Sequence, residues 1–277
     1  MVLGIYVAAA ALSAVGVCWG TGGFESLNWL WLLPVSFVGA FLCLLILTFL
    51  LVLVMSLPVK VEKPQEKDSP FYRFVIMRLI DLLVPLLRIR IHEQGLEKAP
   101  KEGRFLLVCN HLYDIDPAIL LRAFPKSRLA FISKRENDQK FLIGPFLHRI
   151  MCQPINREND REALKTILKC IDMIKTDTAS IGVFPEGYVS DDKLLHPLRH
   201  GVFKIALRAK VPVVVCTLRN THTLLGNVLK LRPTDIHMHL VDVIPVEKMA
   251  GMTAVELGHK VYAMMAEDLG PELVLQT

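Results

Sequence analysis

Hydrophobic positions fall along this chain first in blocks and then in short alternations. Two apolar blocks open it, VLGIYVAAAALSAVGVCW at residues 2–19 and LWLLPVSFVGAFLCLLILTFLLVLVMSL at 30–57. As helices, both are long enough to cross a hydrocarbon core of about 30 Å, which takes roughly 20 residues. Pro34 is expected to kink the second helix or set its start. A polar linker, VKVEKPQEKDSP, leads to FYRFVIMRLIDLLVPLL. The apolar and basic positions of that segment suit a helix that lies at an interface or caps a core.

Beyond residue 88 the period changes. RIRIHEQG alternates residue by residue, as a half-buried strand does. RFLLVC, LAFISK, SIGVFP and VPVVVCTL are short apolar runs of the kind buried on both faces of a parallel sheet. MCQPIN and IHMHLVDVIP predict two further strands. Between them DREALKTILKCIDMIKTD, GVFKIALRAK and MTAVELGHKVYAMMAEDL carry helical spacing, and DQKFLIGPFLHRI predicts a helix broken near Gly144-Pro145. The alternation predicts an α/β fold, a mostly parallel sheet flanked by helices, preceded by an N-terminal two-helix membrane hairpin. The expected divisions are residues 1–58 for the two membrane helices, 59–87 for the linker and amphipathic helix, and 88–277 for the α/β domain.

Charge sharpens this division. Of 277 residues, the first 59 contain no Lys or Arg, and Glu25 is their only acid. The rest holds 32 basic against 26 acidic residues, a net charge of +6. A basic domain behind an apolar leader points to an anionic membrane surface or phosphate-bearing substrates before nucleic acid. Lys60, Lys63, Lys67, Arg73 and Arg78 flank the second block, while the connector GTGGFESLN has no positive charge. The positive-inside bias therefore places the main domain on the cytoplasmic face of the cell membrane. Two helices lying in one leaflet would satisfy the same pattern. Residues 2–19 lack the basic leader of a secretory signal. The six cysteines show no Cys-x-x-Cys spacing, and small buried hydrophobes are the expected role for them.

The candidate chemistry gathers where strands end. CNHLYDIDPAIL places His111 after the apolar run RFLLVC and Asp116 five residues on, before Pro117. Nine His and 13 Asp give about 0.4 chance matches to His-x4-Asp, so the spacing alone proves little. His237 and Asp242 repeat it within one strand, where an odd offset puts two side chains on opposite faces. Asp116 followed by Pro117 is also a good helix start, with Asp116 as the N-cap. A strand-to-helix turn can do both, folding His111 beside an Asp that orients its imidazole. Past other strand ends lie Lys134 with Glu136, Arg157 in INREN, and Glu186-Gly187 in FPEG. Arg157 suits a phosphate, Glu186 a substrate hydroxyl or a basic group, and Gly187 a tight turn. The ordinary alternatives are a solvated charge run, a surface ion pair and a plain turn. In a parallel sheet all these ends share one edge.

With these residues in hand, the chain resembles the 1-acylglycerol-3-phosphate acyltransferase family. NHLYDIDP is similar to its first motif, INR to the end of its second, FPEG to its third, and VPVVV with Pro212 to its fourth, in the family's order. The resemblance covers roughly residues 88–220. It implies His111 as general base and Asp116 as its partner. Arg157 and the Glu186-Gly187 turn would bind the acceptor's glycerol phosphate, Asn110 and Lys134 are further substrate-binding candidates, and Pro212 would lie near the acyl donor or pack. Lysophosphatidic acid, acyl-CoA or acyl-carrier protein and the phospholipid membrane are the implied partners, phosphatidic acid the product. No metal, no cofactor and no covalent enzyme intermediate are expected. Backbone N–H groups near Gly187 are candidates for an oxyanion hole. The chain departs from the pattern at Tyr188, Val189 and Ser190, where Thr-Arg-Ser is common, at Tyr113, where Ser is common, and in lacking an evident Gly at the second motif. These departures bear on the acceptor more than on the chemistry. The rival classes are a metal-dependent phosphoesterase, or a lipid-binding protein of the same fold without turnover.

Overall fold

A computed structural model of the chain describes residues 1–63, 65–189 and 191–275. Helices α1 (Val2–Gly20) and α2 (Trp29–Ser56) form an antiparallel pair, about 28 Å and about 42 Å long at 1.5 Å per residue. Both are long and apolar enough to cross a membrane. α2 starts ahead of Pro34 and runs through it. Ala10, Ala14 and Cys18 make a buried stripe of small residues along α1, and the Tyr6 and Thr48 hydroxyls hydrogen-bond across the pair. Close approach over small residues is how apolar helices associate where water supplies no driving force. At the turn, a Cβ on Gly23 would stand 2.9 Å from Leu32 Cδ1 and 3.2 Å from the Cys18 carbonyl, so a larger residue would crowd it. On the outer face Leu42, Ile46 and Leu50 are about half exposed, an apolar surface unlike that of a water-soluble helix.

α3 (Pro70–Leu86) follows the linker and buries Tyr72, Ile80, Leu82 and Val84 against the domain, while Phe71 and Phe74 stay exposed. It therefore caps a core and presents an outer apolar face at once. The Tyr72 hydroxyl donates to the Met55 carbonyl (2.9 Å), tying α3 to the end of α2.

The domain proper runs β1 (Ile89–Gln94), β2 (Leu106–Cys109), α4 (Asp116–Ala123), β3 (Leu129–Lys134), α5 (Arg135–Asp138), α6 (Ile143–Arg149) and β4 (Gln153–Ile155). It continues with α7 (Asp160–Lys175), β5 (Ser180–Val183), α8 (Lys204–Ala209), β6 (Val213–Arg219), α9 (Leu224–Leu229), β7 (Thr234–Ile244) and α10 (Ala254–Leu269). The seven strands form one sheet in the order β1-β7-β6-β2-β5-β3-β4. Five of them run parallel; β7 is antiparallel to β6, and β1 follows β7. Every residue of the central strands β2 and β5 is buried, as continuous apolar runs require. Leu106, Val108, Ile181 and Val183 face α7, α8 and α10. Leu107 and Cys109 face α3, α4, α6, α9 and, at Val52 and Met55, the end of α2. The sandwich is thus the expected one, with the membrane-type hairpin joined to one of its two faces.

Local details differ from the sequence reading. The helix expected to break at Gly144-Pro145 breaks earlier, between α5 and α6, and both residues sit in the first turn of α6. A Cβ on Gly144 would stand 2.1 Å from the Asp138 carbonyl oxygen, so that glycine serves the packing of α5 on α6. In β7 a bulge opposite Val215 and Cys216 inserts Val241 and reverses the phase. His237 and Asp242 therefore lie on the same face of the sheet, where an unbroken strand would oppose them. They do not pair: His237 stacks on His92, and Asp242 accepts from the Val243 N–H (2.8 Å). All six cysteines are free, and five are buried.

Candidate active site

β2 ends at Cys109, and the next seven residues build a compact hydrogen-bonded turn. Asn110 is buried; its side chain donates to the Leu218 carbonyl (2.9 Å) and accepts from the Leu218 N–H (2.8 Å). The amide thus stands in for one more ladder pair with β6 and releases the main chain to turn. Both ends of the Asn110 amide, expected to meet substrate, are engaged by backbone. His111 follows, its ring stacked on Phe184 with centroids 4.2 Å apart. Its Nδ1 lies 2.8 Å from Asp116 Oδ2. The same oxygen accepts the N–H groups of Leu112 (2.7 Å) and Tyr113 (2.9 Å). A carboxylate only accepts, so Nδ1 carries the hydrogen and Nε2 is left with a lone pair. Asp116 is not an N-cap: α4 begins at Asp116 itself, and the carboxylate turns back to the loop instead of forward to the helix.

The FPEG turn lies beside it at the end of β5. Glu186 is buried, with Oε1 accepting the His111 N–H (2.8 Å) and Oε2 the His196 N–H (3.1 Å). Its carboxylate, expected to contact substrate, braces the backbone that carries the imidazole. Gly187 holds φ +87, a left-handed conformation that favours glycine, and its N–H donates to the Phe184 carbonyl (3.1 Å). That N–H is committed, so it does not form an oxyanion hole.

Burial pushes the Glu186 carboxyl up to about 7, against the pull of its two N–H donors. The folded state then binds this proton more tightly than an unfolded chain, whose carboxyl titrates near 4.5. The stability it contributes is present below the unfolded value and is lost as pH rises towards 7. Glu186→Gln does not titrate. Across pH 4.5–8 the thermal midpoint of the wild type should fall relative to the variant's, and parallel profiles would refute the shift.

A cavity of about 530 Å³ opens at this edge of the sheet. His111, Lys134, Arg157 and Tyr188 line its polar part. Leu79 and Leu83 of α3, Phe131 of β3, Phe146 of α6 and Val52 of α2 line the apolar remainder. Lys134 pairs with Glu136 (3.4 Å). The Arg157 guanidinium is held below its ordinary pKa by burial and then by Arg199, with Glu136 acting in the opposite sense. Asp116, Glu186 and Gly187 stand behind the wall of this cavity and hold it. Pro212 does not belong to it. It precedes β6, and its carbonyl accepts the Leu106 N–H at the start of β2, which is the opposite edge of the sheet. Its packing alternative is the one the structure supports. Ser190, the last of the three departures in the third motif, lies outside the described residues. Sequence reading missed Phe184, whose ring backs His111 and also stacks on Phe131. The only signal was its place before Pro185. Among the described residues no three His, Cys, Asp or Glu side chains gather to hold a metal ion.

Comparison with known proteins agrees with this geometry. The Acyltransferase family model matches residues 90–219. The probable 1-acyl-sn-glycerol-3-phosphate acyltransferase of Mycoplasma pneumoniae is 31% identical over 184 residues, 64% of this chain and 68% of that protein. The 1-acyl-sn-glycerol-3-phosphate acyltransferase of Saccharomyces cerevisiae is 30% identical over 139 residues, 49% of this chain but only 44% of its own length. The crystal structure of the 1-acyl-sn-glycerophosphate (LPA) acyltransferase PlsC from Thermotoga maritima shares the fold. Its TM-score is 0.60 at 19% identity, covering 79% of this chain and 86% of that one. Motif order, sheet topology and the relatives converge, and the chain belongs to the 1-acyl-sn-glycerol-3-phosphate acyltransferase family.

Proposed function

We propose that this protein transfers a fatty acyl group from an acyl thioester to the free sn-2 hydroxyl of 1-acylglycerol-3-phosphate, giving phosphatidic acid. The observation that carries the reading is the Asp116-oriented imidazole at the polar end of an apolar cavity. Val52 of the membrane-type helix α2 joins its apolar lining. An acyl chain fits the apolar part, and a phosphate fits the cationic rim. Nε2 of His111 takes the hydroxyl proton as the oxygen attacks the thioester carbonyl. The carbon–sulfur bond breaks, and the leaving thiolate takes the proton from the imidazolium. The base is regenerated without a covalent enzyme intermediate. In this reading the hairpin holds the domain at the cytoplasmic face of the membrane, where the basic flank of α2 meets anionic lipid.

The direct test is thiol release by detergent-purified protein given acyl-CoA and lysophosphatidate, with phosphatidate followed as product. Release and product together support the reading. Silence with both acyl-CoA and acyl-carrier protein donors, on this and other lysolipids, would overturn it in favour of a binding protein of the same fold. Arg157→Ala is expected to raise KM for the phosphate-bearing acceptor about tenfold, the worth of one charge-assisted hydrogen bond to phosphate. An unchanged KM would reassign Arg157 to structure.

A further inference from the structure

Arg199 lies 42 residues beyond Arg157 in the chain. It follows the loop after the FPEG turn and returns to that turn in space. Its N–H donates to the Pro185 carbonyl (2.8 Å). Its side chain then passes over Gly187, so closely that a Cβ there would stand 2.9 Å from Arg199 Nε and 3.1 Å from its Cδ. Gly187 therefore has two structural reasons to be glycine: its positive φ, and the guanidinium laid across its Cα. The next residue, Tyr188, lines the cavity, as does Arg157. Arg199 is thus brought to the turn after β5, at the same edge of the sheet as Arg157 after β4, with β3 between the two strands.

The charges at this rim are unbalanced. Glu186, the carboxylate of the turn that Arg199 crosses, is buried and used by two backbone N–H groups. Asp192 is engaged by the His196 ring (3.0 Å). Among the described residues no carboxylate forms an ion pair with Arg157 or Arg199, whereas Arg135 takes Glu162 (3.2 Å). The two guanidiniums also sense one another, since Arg199 disfavours the charged form of Arg157. Glu136 offsets Arg157 only in part, since it pairs with Lys134. Two like charges held near one another with so little compensation are what an anionic ligand relieves, and planar guanidinium forks match phosphate oxygens in pairs.

We propose that Arg199 is the second guanidinium of a phosphate clamp formed with Arg157 at the mouth of the cavity, held in place by its passage over Gly187. The ligand is a phosphoryl group. Under the acyltransferase reading, on which this proposal rests for its ligand, the source is the acceptor's phosphate or the phosphates of a coenzyme A thioester.

The test is equilibrium binding to the full-length chain in detergent, with no donor–acceptor pair present and hence no turnover. Lysophosphatidate and coenzyme A are titrated separately into wild type, Arg199→Ala and Arg199→Lys. Arg199→Ala should weaken lysophosphatidate about tenfold or more and leave coenzyme A unchanged. Arg199→Lys should recover only part of the loss, because an ammonium replaces one charge but not the fork. A loss confined to coenzyme A also supports the clamp and assigns it to the donor. Unaltered affinity for both ligands, or a wild type that binds neither, overturns it. Failure of thiol release with Arg199-dependent lysophosphatidate binding intact would defeat the acyltransferase reading and leave the clamp standing.

Discussion

His111→Ala should lower kcat by about 10²–10⁴-fold, the range that a positioned general base contributes, while the protein stays folded. The geometry separates these two outcomes. Asp116 holds the ring's Nδ1, and Nε2 is the basic atom at the polar end of the cavity. Alanine removes it, and among the described residues no other imidazole lines the cavity. The fold loses less. Asp116 keeps the Leu112 and Tyr113 N–H groups, and Glu186 keeps the backbone N–H of residue 111, which alanine also has. What goes is the Nδ1 hydrogen bond to Asp116 and the stack on Phe184, the stack worth about 0.5–1.5 kcal/mol. Single-turnover thiol release, beside thermal unfolding of the same preparation, reads both. Near wild-type release from a folded His111→Ala protein would end the mechanism.

How far such a site is legible from sequence depends on where each residue's partners lie. The sheet was legible because its central strands satisfy themselves locally: Leu106–Cys109 and Ser180–Val183 are apolar on both faces and say so in four letters. The convergence of His111, Lys134, Arg157 and Glu186 followed from parallel strands alone. The roles of Asn110 and Glu186 were not legible, because their partners are backbone groups of Leu218 and His196, 108 and 10 residues away. A buried polar residue beside a motif looks like a ligand contact until the backbone groups it serves are known. Pro212 misled for the related reason that adjacency to a strand does not say which end of the sheet it occupies. The bulge at Val241 has no local mark, since it is defined only by the register against β6. Arg199 is the extreme case: nothing in HPLRHG announces a group that folds back over a glycine twelve residues earlier.

Asp116→Asn should cost about 10²-fold in kcat with little change in KM, and the structure makes it a cleaner test than its place at a helix start suggests. One oxygen, Oδ2, accepts all three hydrogen bonds, from His111 Nδ1, Leu112 and Tyr113, and Oδ1 is buried with no partner. An asparagine that places its carbonyl oxygen at Oδ2 keeps all three. The tautomer survives, the loop survives, and α4 loses no cap because Asp116 supplies none. The variant loses the negative charge that stabilises the imidazolium as the proton arrives, and it gains an unpaired amide at the Oδ1 position. The first change acts only in the transition state, so it lowers kcat and kcat/KM together. The second costs about 1–3 kcal/mol of stability as a buried donor without an acceptor. Wild-type kcat in Asp116→Asn would mean that Asp116 only shapes the loop. A fall in kcat with KM held would show that its charge serves the chemistry.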